Sequence, residues 1–185
     1  MEAKERNKLY KAFEPENAEI KDGHYIVPMD KVRDLYDGRY CAIAGFVFAT
    51  VNGEYCVLAN KRGKGTPDFQ GYWNCACGYL ERGENSQQGI ARETLEECGI
   101  DIDPELFKIA FVQTEPKFCE HGNVTIHHVA FLGEQEQINF EDLEFVGGEA
   151  DEVADVKWIP VNQIDQYQWA FGHDKTIMKY FYEIF

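Results

Sequence analysis

The most marked deficit of this 185-residue chain is in basic residues. It holds 18 Lys and Arg against 33 Asp and Glu, which gives a formal net charge of −15. Binding to nucleic acid or to an anionic membrane requires a basic surface, so we expect neither partner. An acidic protein that binds phosphate groups usually needs metal ions between the like charges.

Long apolar runs are also missing. The N-terminal residues contain no apolar core of a secretory signal, and no stretch of about 18 apolar residues that would cross a membrane follows. The best apolar stretch, Cys41–Val51, is short enough to be a buried strand. These absences predict a cytoplasmic protein.

Cysteine is sparse, with six residues in the chain. Without a secretory signal, reduced and buried thiols are favoured over disulfides. A structural zinc site is disfavoured as well, because Cys75 and Cys77 are separated by one residue and no second close pair follows. Apolar residues at 44% and charged residues at 28% are typical of a folded domain.

Strand and helix patterns interleave, which indicates an α/β or α+β domain with a mixed sheet. Residues 1–38 are predicted to be an N-terminal extension packed on the domain, which spans residues 39–185. Asn52-Gly53 is a strong hairpin signal, because a type I′ turn needs positive φ at both positions. The predicted strands are Tyr40–Val51, Glu54–Asn60, Leu106–Thr114, Val124–Leu132 and Val156–Pro160. The predicted helices are Asn85–Cys98, Val161–Gln168 and His173–Phe185.

The helix over Asn85–Cys98 carries an unusual acidic stripe. Glu93, Glu96 and Glu97 stand at i, i+3 and i+4, so they share an arc of about 100°. Like charges at these spacings repel one another, and Arg92 is the only basic residue of this helix. We therefore expect a cation among these carboxylates, and oxygen ligands suit Mg²⁺ or Mn²⁺.

The stretch from Gly78 to Ile100 resembles the Nudix box, G-x5-E-x7-R-E-U-x-E-E-x-G-U, where U is a bulky apolar residue. All seven fixed glycine or polar positions match at the required spacings. Thr94 departs from the pattern, since it stands where a larger apolar residue is preferred. The preceding residues, Trp73–Gly78, also differ from the commoner leucine–proline–glycine–glycine lead-in.

The resemblance implies an α/β/α sandwich around a mixed sheet. It also implies a hydrolase that cleaves a nucleoside diphosphate linked to another moiety into a nucleoside monophosphate and a phosphorylated product. The implied ligands of Mg²⁺ or Mn²⁺ are Glu93, Glu96, Glu97 and the main-chain carbonyl of Cys77. The implied structural residues are Gly78 and Gly99 as turn formers and Glu84 as the partner of Arg92. The residues assigned to catalysis are Arg92, Glu93, Glu97 and Glu152.

The general base is left open between the box and a loop. Glu93 is the first candidate within the box. The candidates outside it are Glu115, Glu120, Glu149, Asp151 and Glu152. The alternative for each of these loop acids is a solvated surface carboxylate.

Substrate contacts have candidates in the loop after Asn60 and among the aromatic residues. Lys61, Arg62 and Lys64 either clamp a phosphate or form a solvated basic loop. The rings that either stack on a nucleobase or belong to the core are Phe69, Tyr72, Trp73 and Trp158. His127 and His128 face opposite sides of an alternating strand, so at most one can join a site, and structural roles are favoured.

Alternative functions remain. A non-catalytic nucleotide-binding or sensor module shares the fold, but degenerate members of that kind lose box glutamates, and this chain keeps them. The intact box disfavours an isoprenoid diphosphate isomerase. The net charge of −15 disfavours an enzyme that removes RNA caps. Pro116 resembles a position that marks some ADP-ribose hydrolases, which puts ADP-ribose-like substrates slightly ahead of nucleoside triphosphates, and nucleotide sugars are a further alternative. A homodimer is an open possibility.

Overall fold

A computed structural model describes residues 19–21, 24–26, 39–118, 122–145 and 151–184. The chain divides into two units, residues 1–39 and 40–185. In the first unit, β1 (Glu19–Lys21) and β2 (His24–Ile26) form an antiparallel pair. The packing of residues 1–38 on the domain stays a prediction.

The second unit is built on one mixed sheet. Its strands are β3 (Cys41–Val51), β4 (Glu54–Arg62), β5 (Trp73–Asn74), β6 (Cys77–Tyr79), β7 (Lys108–Gln113), β8 (Val124–Gln135) and β9 (Val153–Pro160). The order is β5-β4-β3-β8-β7, with β6 paired to β3 and β9 paired to β4. The pairing of β3 with β8 is parallel, whereas the other pairings are antiparallel. The predicted mixed sheet is confirmed, and β9 begins earlier than predicted.

The hairpin between β3 and β4 turns at Asn52-Gly53, as predicted. The φ angles are 51° at Asn52 and 79° at Gly53. Both angles are positive, as a type I′ turn requires. The turn brings Val51 opposite Glu54 and starts the antiparallel register of the two central strands.

Helix α1 (Ser86–Cys98) is fixed at both ends by its sequence. The Asn85 side chain accepts from the backbone N–H of Gln87 and Gln88, and the Gln88 side chain accepts from the Asn85 N–H, which completes a capping box. Gly99 ends the helix with a φ of 67°, a left-handed conformation that favours glycine. The local signals that predicted this helix therefore also set its limits.

The C-terminal helix α2 spans His173–Ile184. The helix predicted over Val161–Gln168 is present as a shorter 3₁₀ helix over Val161–Gln166. The segment runs directly from the end of β9 to a backbone bridge between Trp73 and Trp169, which leaves little length for regular α-helical turns. No helix of the described residues is long and apolar enough to span a membrane.

Two hydrophobic clusters lie on opposite faces of the sheet. Along β3, Ile43, Val47 and Ala49 pack with Ile90 and Cys98 of α1. The alternate residues of β3 pack on the other face, where the members include Phe46, Phe48, Ile177 and Tyr180. One helix therefore covers each face, which confirms the expected α/β/α sandwich.

The departure at Thr94 fits the core. Thr94 is fully buried, and its hydroxyl donates to the Ile90 carbonyl at 2.7 Å. The polar atom is thus satisfied within the helix while the rest of the side chain is buried.

The described cysteines Cys41, Cys56, Cys75, Cys77 and Cys98 are free thiols, and Cys119 lies outside the described residues.

Candidate active site

The carboxylates of the Nudix box surround the guanidinium of Arg92. Its Nη1 donates to Glu93 and to Glu96, at 2.9 Å in each case. Its Nε and Nη2 bind the two oxygens of Glu84 at 3.1 and 2.9 Å, and Nη2 also donates to the Tyr79 carbonyl at 3.1 Å. All five N–H groups of the guanidinium are used.

This network fixes the loop that carries Glu84 onto α1. The bidentate hydrogen bond to Arg92 is the main reason that the pKa of Glu84 is lowered. Glu84 also accepts from the backbone N–H of Glu81 at 2.8 Å. The expected pairing of Arg92 with Glu84 is present, and Arg92 additionally binds two carboxylates of the acidic stripe.

Glu97 is turned away from this network toward the sheet. One of its oxygens accepts from Asn60 Nδ2 at 3.1 Å and from the backbone N–H of Cys77 at 3.0 Å. Burial, and then the negative charge of Glu93, raise the pKa of Glu97 to about 8, although the hydrogen bonds and the nearby Arg62 oppose this shift. Glu97 is therefore a largely buried carboxylate with incomplete charge compensation.

Gly78 allows the carboxylate of Glu93 to lie against the main chain of β6. A Cβ atom at position 78 would overlap the Glu93 carboxylate. Burial raises the pKa of Glu93, and the charge of Arg92 opposes the increase. The glycine that was expected as a turn former is thus required here for close approach.

The donor set fits a hard divalent cation. Glu84, Glu93, Glu96 and Glu97 supply four carboxyl groups against the one guanidinium of Arg92, so their full ionisation leaves three negative charges. Within the described residues, no group of three or more His, Cys, Asp or Glu side chains already converges on one point. The reason is that Arg92 holds two members of the acidic stripe while Glu97 binds Asn60. The unbalanced charge and the oxygen ligands suit Mg²⁺ or Mn²⁺.

A cavity of about 370 Å³ opens beside Cys77 and Gly78. It lies on the α2 face of the sheet, where the side chains of β3 change from Phe48 and Phe46 to Ala44 and Ala42 toward its start. Small side chains leave the space that phenylalanine fills further along the strand. Cys77 and Gly78 of β6 therefore border both the carboxylate cluster and the cavity.

The predicted substrate contacts separate into two groups. Arg62 lines the cavity, where it donates to the Asp68 carboxylate at 2.7 Å. Lys61 is not among the lining residues. Trp73 is only 6% exposed and belongs to the core of the α2 face, with Lys157 above its ring.

The other candidate rings also divide between core and surface. Trp158 is buried in the core of the α1 face. Phe69 contacts Tyr72 and Phe171 through edge-to-face ring contacts, and Phe171 lines the cavity. Phe171, which the sequence analysis did not single out, therefore borders the cavity beside Phe69.

The acidic loop candidates are packed against the glycines that follow β4. The carbonyls of Glu152 and Asp151 accept from the N–H groups of Gly63 and Gly65, at 2.6 and 3.0 Å. This places residues 151–152 beside the end of β4, next to Arg62. Glu115 follows β7 on the surface, whereas Glu120 and Glu149 lie outside the described residues.

The two adjacent histidines face opposite sides of the sheet, as predicted. His127 lines the cavity and its Nδ1 is 2.8 Å from the Tyr180 hydroxyl. His128 is fully buried, with its Nε2 at 3.0 Å from the Ser86 hydroxyl at the start of α1. Only His127 of this pair is therefore available to a ligand in the cavity.

Sequence reasoning missed Asn60 and His173. Asn60 is 2% exposed and holds Glu97, and its signal was a polar residue at the end of the apolar run Cys56–Ala59. His173 lines the cavity and accepts from the Cys75 N–H through Nδ1 at 3.0 Å. A single histidine at the start of a helix gives no comparable signal.

Comparisons with known proteins agree with the geometry of the site. The model of the NUDIX domain family matches residues 40–180. A NAD-capped RNA hydrolase NudC of Stutzerimonas stutzeri is 26% identical over 119 residues, which are 62% of this chain. The chain spans only 35% of that relative's length.

Two solved structures share the fold. The NUDIX domain of Shewanella oneidensis NrtR, complexed with ADP ribose, has a TM-score of 0.67 at 18% identity, and the match covers 82% of this chain and 92% of that one. A bifunctional NMN adenylyltransferase/ADP ribose pyrophosphatase of Francisella tularensis, complexed with AMP and a Mn ion, has a TM-score of 0.59 at 19% identity, covering 97% and 47%. The match of the family model to most of the chain shows that the protein belongs to the Nudix family.

Proposed function

We propose that this protein is a divalent-metal-dependent pyrophosphohydrolase. Its substrate is a nucleoside diphosphate linked to another moiety, and its products are a nucleoside monophosphate and a phosphorylated moiety. The observation that carries the proposal is the carboxylate cluster of α1, which lies against the glycine backbone of β6 at the edge of a cavity. This juxtaposition suits a substrate with a charged diphosphate and a bulky neutral end.

The proposed metal ligands are the carboxylates of the acidic stripe and the main-chain carbonyl of Cys77. When Mg²⁺ or Mn²⁺ is bound, it neutralises phosphoryl charge and lowers the pKa of a water molecule. Arg92 holds Glu84 and therefore keeps the loop after β6 in register with α1. Asn60 and the Cys77 N–H orient Glu97.

Arg62 is the proposed phosphate contact. It is 9% exposed and lines the cavity, and its ion pair with Asp68 fixes the direction of the guanidinium. An arginine held in this way loses little conformational freedom when it binds a phosphate oxygen. The proposal replaces Lys61 and Trp73 as substrate contacts with Arg62 and the rings around Phe171.

Two positions remain candidates for the general base. Glu93 lies at the box glycine, and Glu152 is fixed through its backbone to the end of β4 beside Arg62. A general base must come within hydrogen-bond reach of the attacking water. We keep Glu152 as the proposed loop base and Glu93 as the alternative.

ADP-ribose is the first substrate to test. The NrtR neighbour was solved with ADP ribose and the Francisella neighbour with AMP and a Mn ion, which supports adenine nucleotides as ligands of this fold. The net charge of −15 opposes long RNA substrates. NAD is included in the panel because the bacterial relative is an NAD-capped RNA hydrolase.

The experiment is a hydrolysis panel with ADP-ribose, UDP-glucose, ATP and NAD in Mg²⁺ or Mn²⁺. Phosphorus NMR identifies the products, and we expect AMP and ribose 5-phosphate from ADP-ribose. Glu105→Gln, on an exposed turn outside the box, serves as the matched control for Glu97→Gln. Binding of ADP-ribose without hydrolysis of any compound would contradict the proposal and favour a non-catalytic module.

A further inference from the structure

The cavity beside β6 has a balanced charge, in contrast to the carboxylate cluster next to it. Arg62 and Asp68 are the charged residues among those described along its lining, and they form an ion pair of 2.7 Å. The polar side chains that remain include Gln113, Asn123 and Thr125. Apart from the phosphate that Arg62 is proposed to contact, such a lining suits an uncharged group that forms hydrogen bonds, because it offers no excess positive charge to a further phosphate.

His173 lines this cavity and is held in one tautomer. Its Nδ1 accepts from the backbone N–H of Cys75 at 3.0 Å. An imidazole nitrogen that accepts carries no proton, so the neutral ring carries its proton on Nε2. Burial, with the charges of His127 and Arg62, lowers the pKa of His173 to about 3, so the ring is neutral at physiological pH.

The anchor of this donor is rigid. His173 is 6% exposed, and its ring meets Phe46 and Phe171 at centroid distances of 5.2 and 5.6 Å. Cys75, which donates to it, is fully buried. A donor held in this way loses little conformational entropy on binding, which is the condition for discrimination between ligands.

We propose that His173 is a specificity-determining residue, whose Nε2–H donates to an acceptor on the uncharged nucleoside half of the substrate in this cavity. The proposal rests on the proposed function for the identity of the substrate. Phe171 and Tyr79 line the same cavity and offer aromatic surface to a base or sugar. The diphosphate would then extend past Gly78 toward the carboxylate cluster.

Two substitutions separate the donor role from a structural role. His173→Asn keeps an acceptor for the Cys75 N–H, because the asparagine Oδ1 takes the place of Nδ1, but it removes the donor at the Nε2 position. His173→Gln keeps an N–H near the Nε2 position but loses the acceptor beside Cys75. For ADP-ribose, we expect His173→Asn to raise KM about tenfold with kcat within about threefold of wild type, the scale of one good hydrogen bond, and His173→Gln to retain KM within about threefold.

A purely structural role predicts the reverse order. His173→Gln would then be the more impaired variant, in KM and in thermal stability, and His173→Asn would resemble the wild type. That result would overturn the proposal. Equal KM values for the wild type and both variants would overturn it as well.

A second measurement does not depend on hydrolysis. In ¹⁵N-histidine NMR of the chelated protein, the signals absent from His173→Phe identify His173. We expect its proton on Nε2, and we expect addition of adenosine to shift that Nε2 resonance. A proton on Nδ1, or an Nε2 resonance that adenosine leaves unchanged, would refute the inference. If adenosine shifts the resonance but no diphosphate is hydrolysed, the proposed function fails and this inference stands.

Discussion

Replacement of Glu97 by glutamine separates the charge of this side chain from its shape. In the metal-free protein, burial raises the pKa of Glu97 to about 8, from an ordinary value of 4.5. The folded state therefore holds a proton that the unfolded state releases. This stabilisation is complete below about pH 4.5 and is lost as the pH rises through about 8.

The size of the effect follows from the width of this window. Each pH unit within it changes the free energy of unfolding by about 1.4 kcal/mol, so the total is about 5 kcal/mol at pH 9. Glutamine cannot ionise, and its carbonyl oxygen can still accept from Asn60 and from the Cys77 N–H. In chelator, Glu97→Gln should lie within about 1 kcal/mol of the wild type at pH 5 and be more stable by about 3–5 kcal/mol at pH 9.

Metal should reverse this ranking. Mg²⁺ that binds the folded wild type raises its free energy of unfolding by mass action, and the variant, which lacks one charged ligand, should gain less. Its kcat should fall at least about 10²-fold, the scale of a lost transition-state electrostatic partner.

The assay is urea unfolding, followed by circular dichroism, at pH 5 and pH 9 with chelator or with Mg²⁺. Glu105→Gln, on an exposed turn, should follow the wild type in all four conditions. The reasoning is refuted if Glu97→Gln is less stable than the wild type at pH 9 in chelator, or if Mg²⁺ stabilises both proteins equally.

Three further predictions concern other parts of the site. Gly78→Ala places a methyl group into the Glu93 carboxylate. Both kcat and the Mg²⁺ affinity measured by calorimetry should fall while the circular dichroism spectrum is retained. An unchanged Mg²⁺ affinity would contradict the close approach of Glu93 to Gly78. Glu152→Gln should lower kcat by about 10²- to 10⁴-fold, the range of general-base catalysis, with little change in Mg²⁺ affinity. If kcat decreases by less than about threefold in Glu152→Gln but by much more in Glu93→Gln, the base belongs to the box. The pKa values of His127 and His173 are lowered to about 4 and about 3, so the stability that the neutral rings contribute is complete above about pH 6.5 and is lost as the pH falls toward these values, by about 1.4 kcal/mol per ring and pH unit. In urea unfolding between pH 7 and 5, the free energy of unfolding should change less steeply with pH in His173→Phe than in the wild type. An equal slope would contradict the neutral buried ring.

Elements with strong local signals could be predicted from the sequence. The hairpin at Asn52-Gly53 and the limits of α1 follow from turn and capping chemistry within a few residues. The acidic stripe follows from helical periodicity, because residues at i, i+3 and i+4 share a face in any helix. The helix predicted over Val161–Gln168 is a shorter 3₁₀ helix, because tertiary connections, rather than local propensity, determine the backbone there.

Long-range packing decided what the sequence could not. The cavity is lined by residues of β3, β8 and the start of α2, which are far apart in the chain. The change from Phe46 to Ala44 opens a cavity only because α2 packs over this part of β3. Trp73 was a plausible stacking ring by residue type, but its strand places it in the core. Arg92 was expected to bind one carboxylate, whereas the arrangement of its five donors around Glu84, Glu93 and Glu96 depends on the packed loop.

The most direct test of the central claim is the removal and return of metal during hydrolysis of ADP-ribose. The protein is treated with chelator, dialysed and assayed for AMP and ribose 5-phosphate before and after addition of Mg²⁺ or Mn²⁺, while circular dichroism follows the fold. We predict that hydrolysis stops in chelator with the fold intact and returns with either ion. Full turnover in the chelated protein would contradict a carboxylate-bound metal as the basis of its activity.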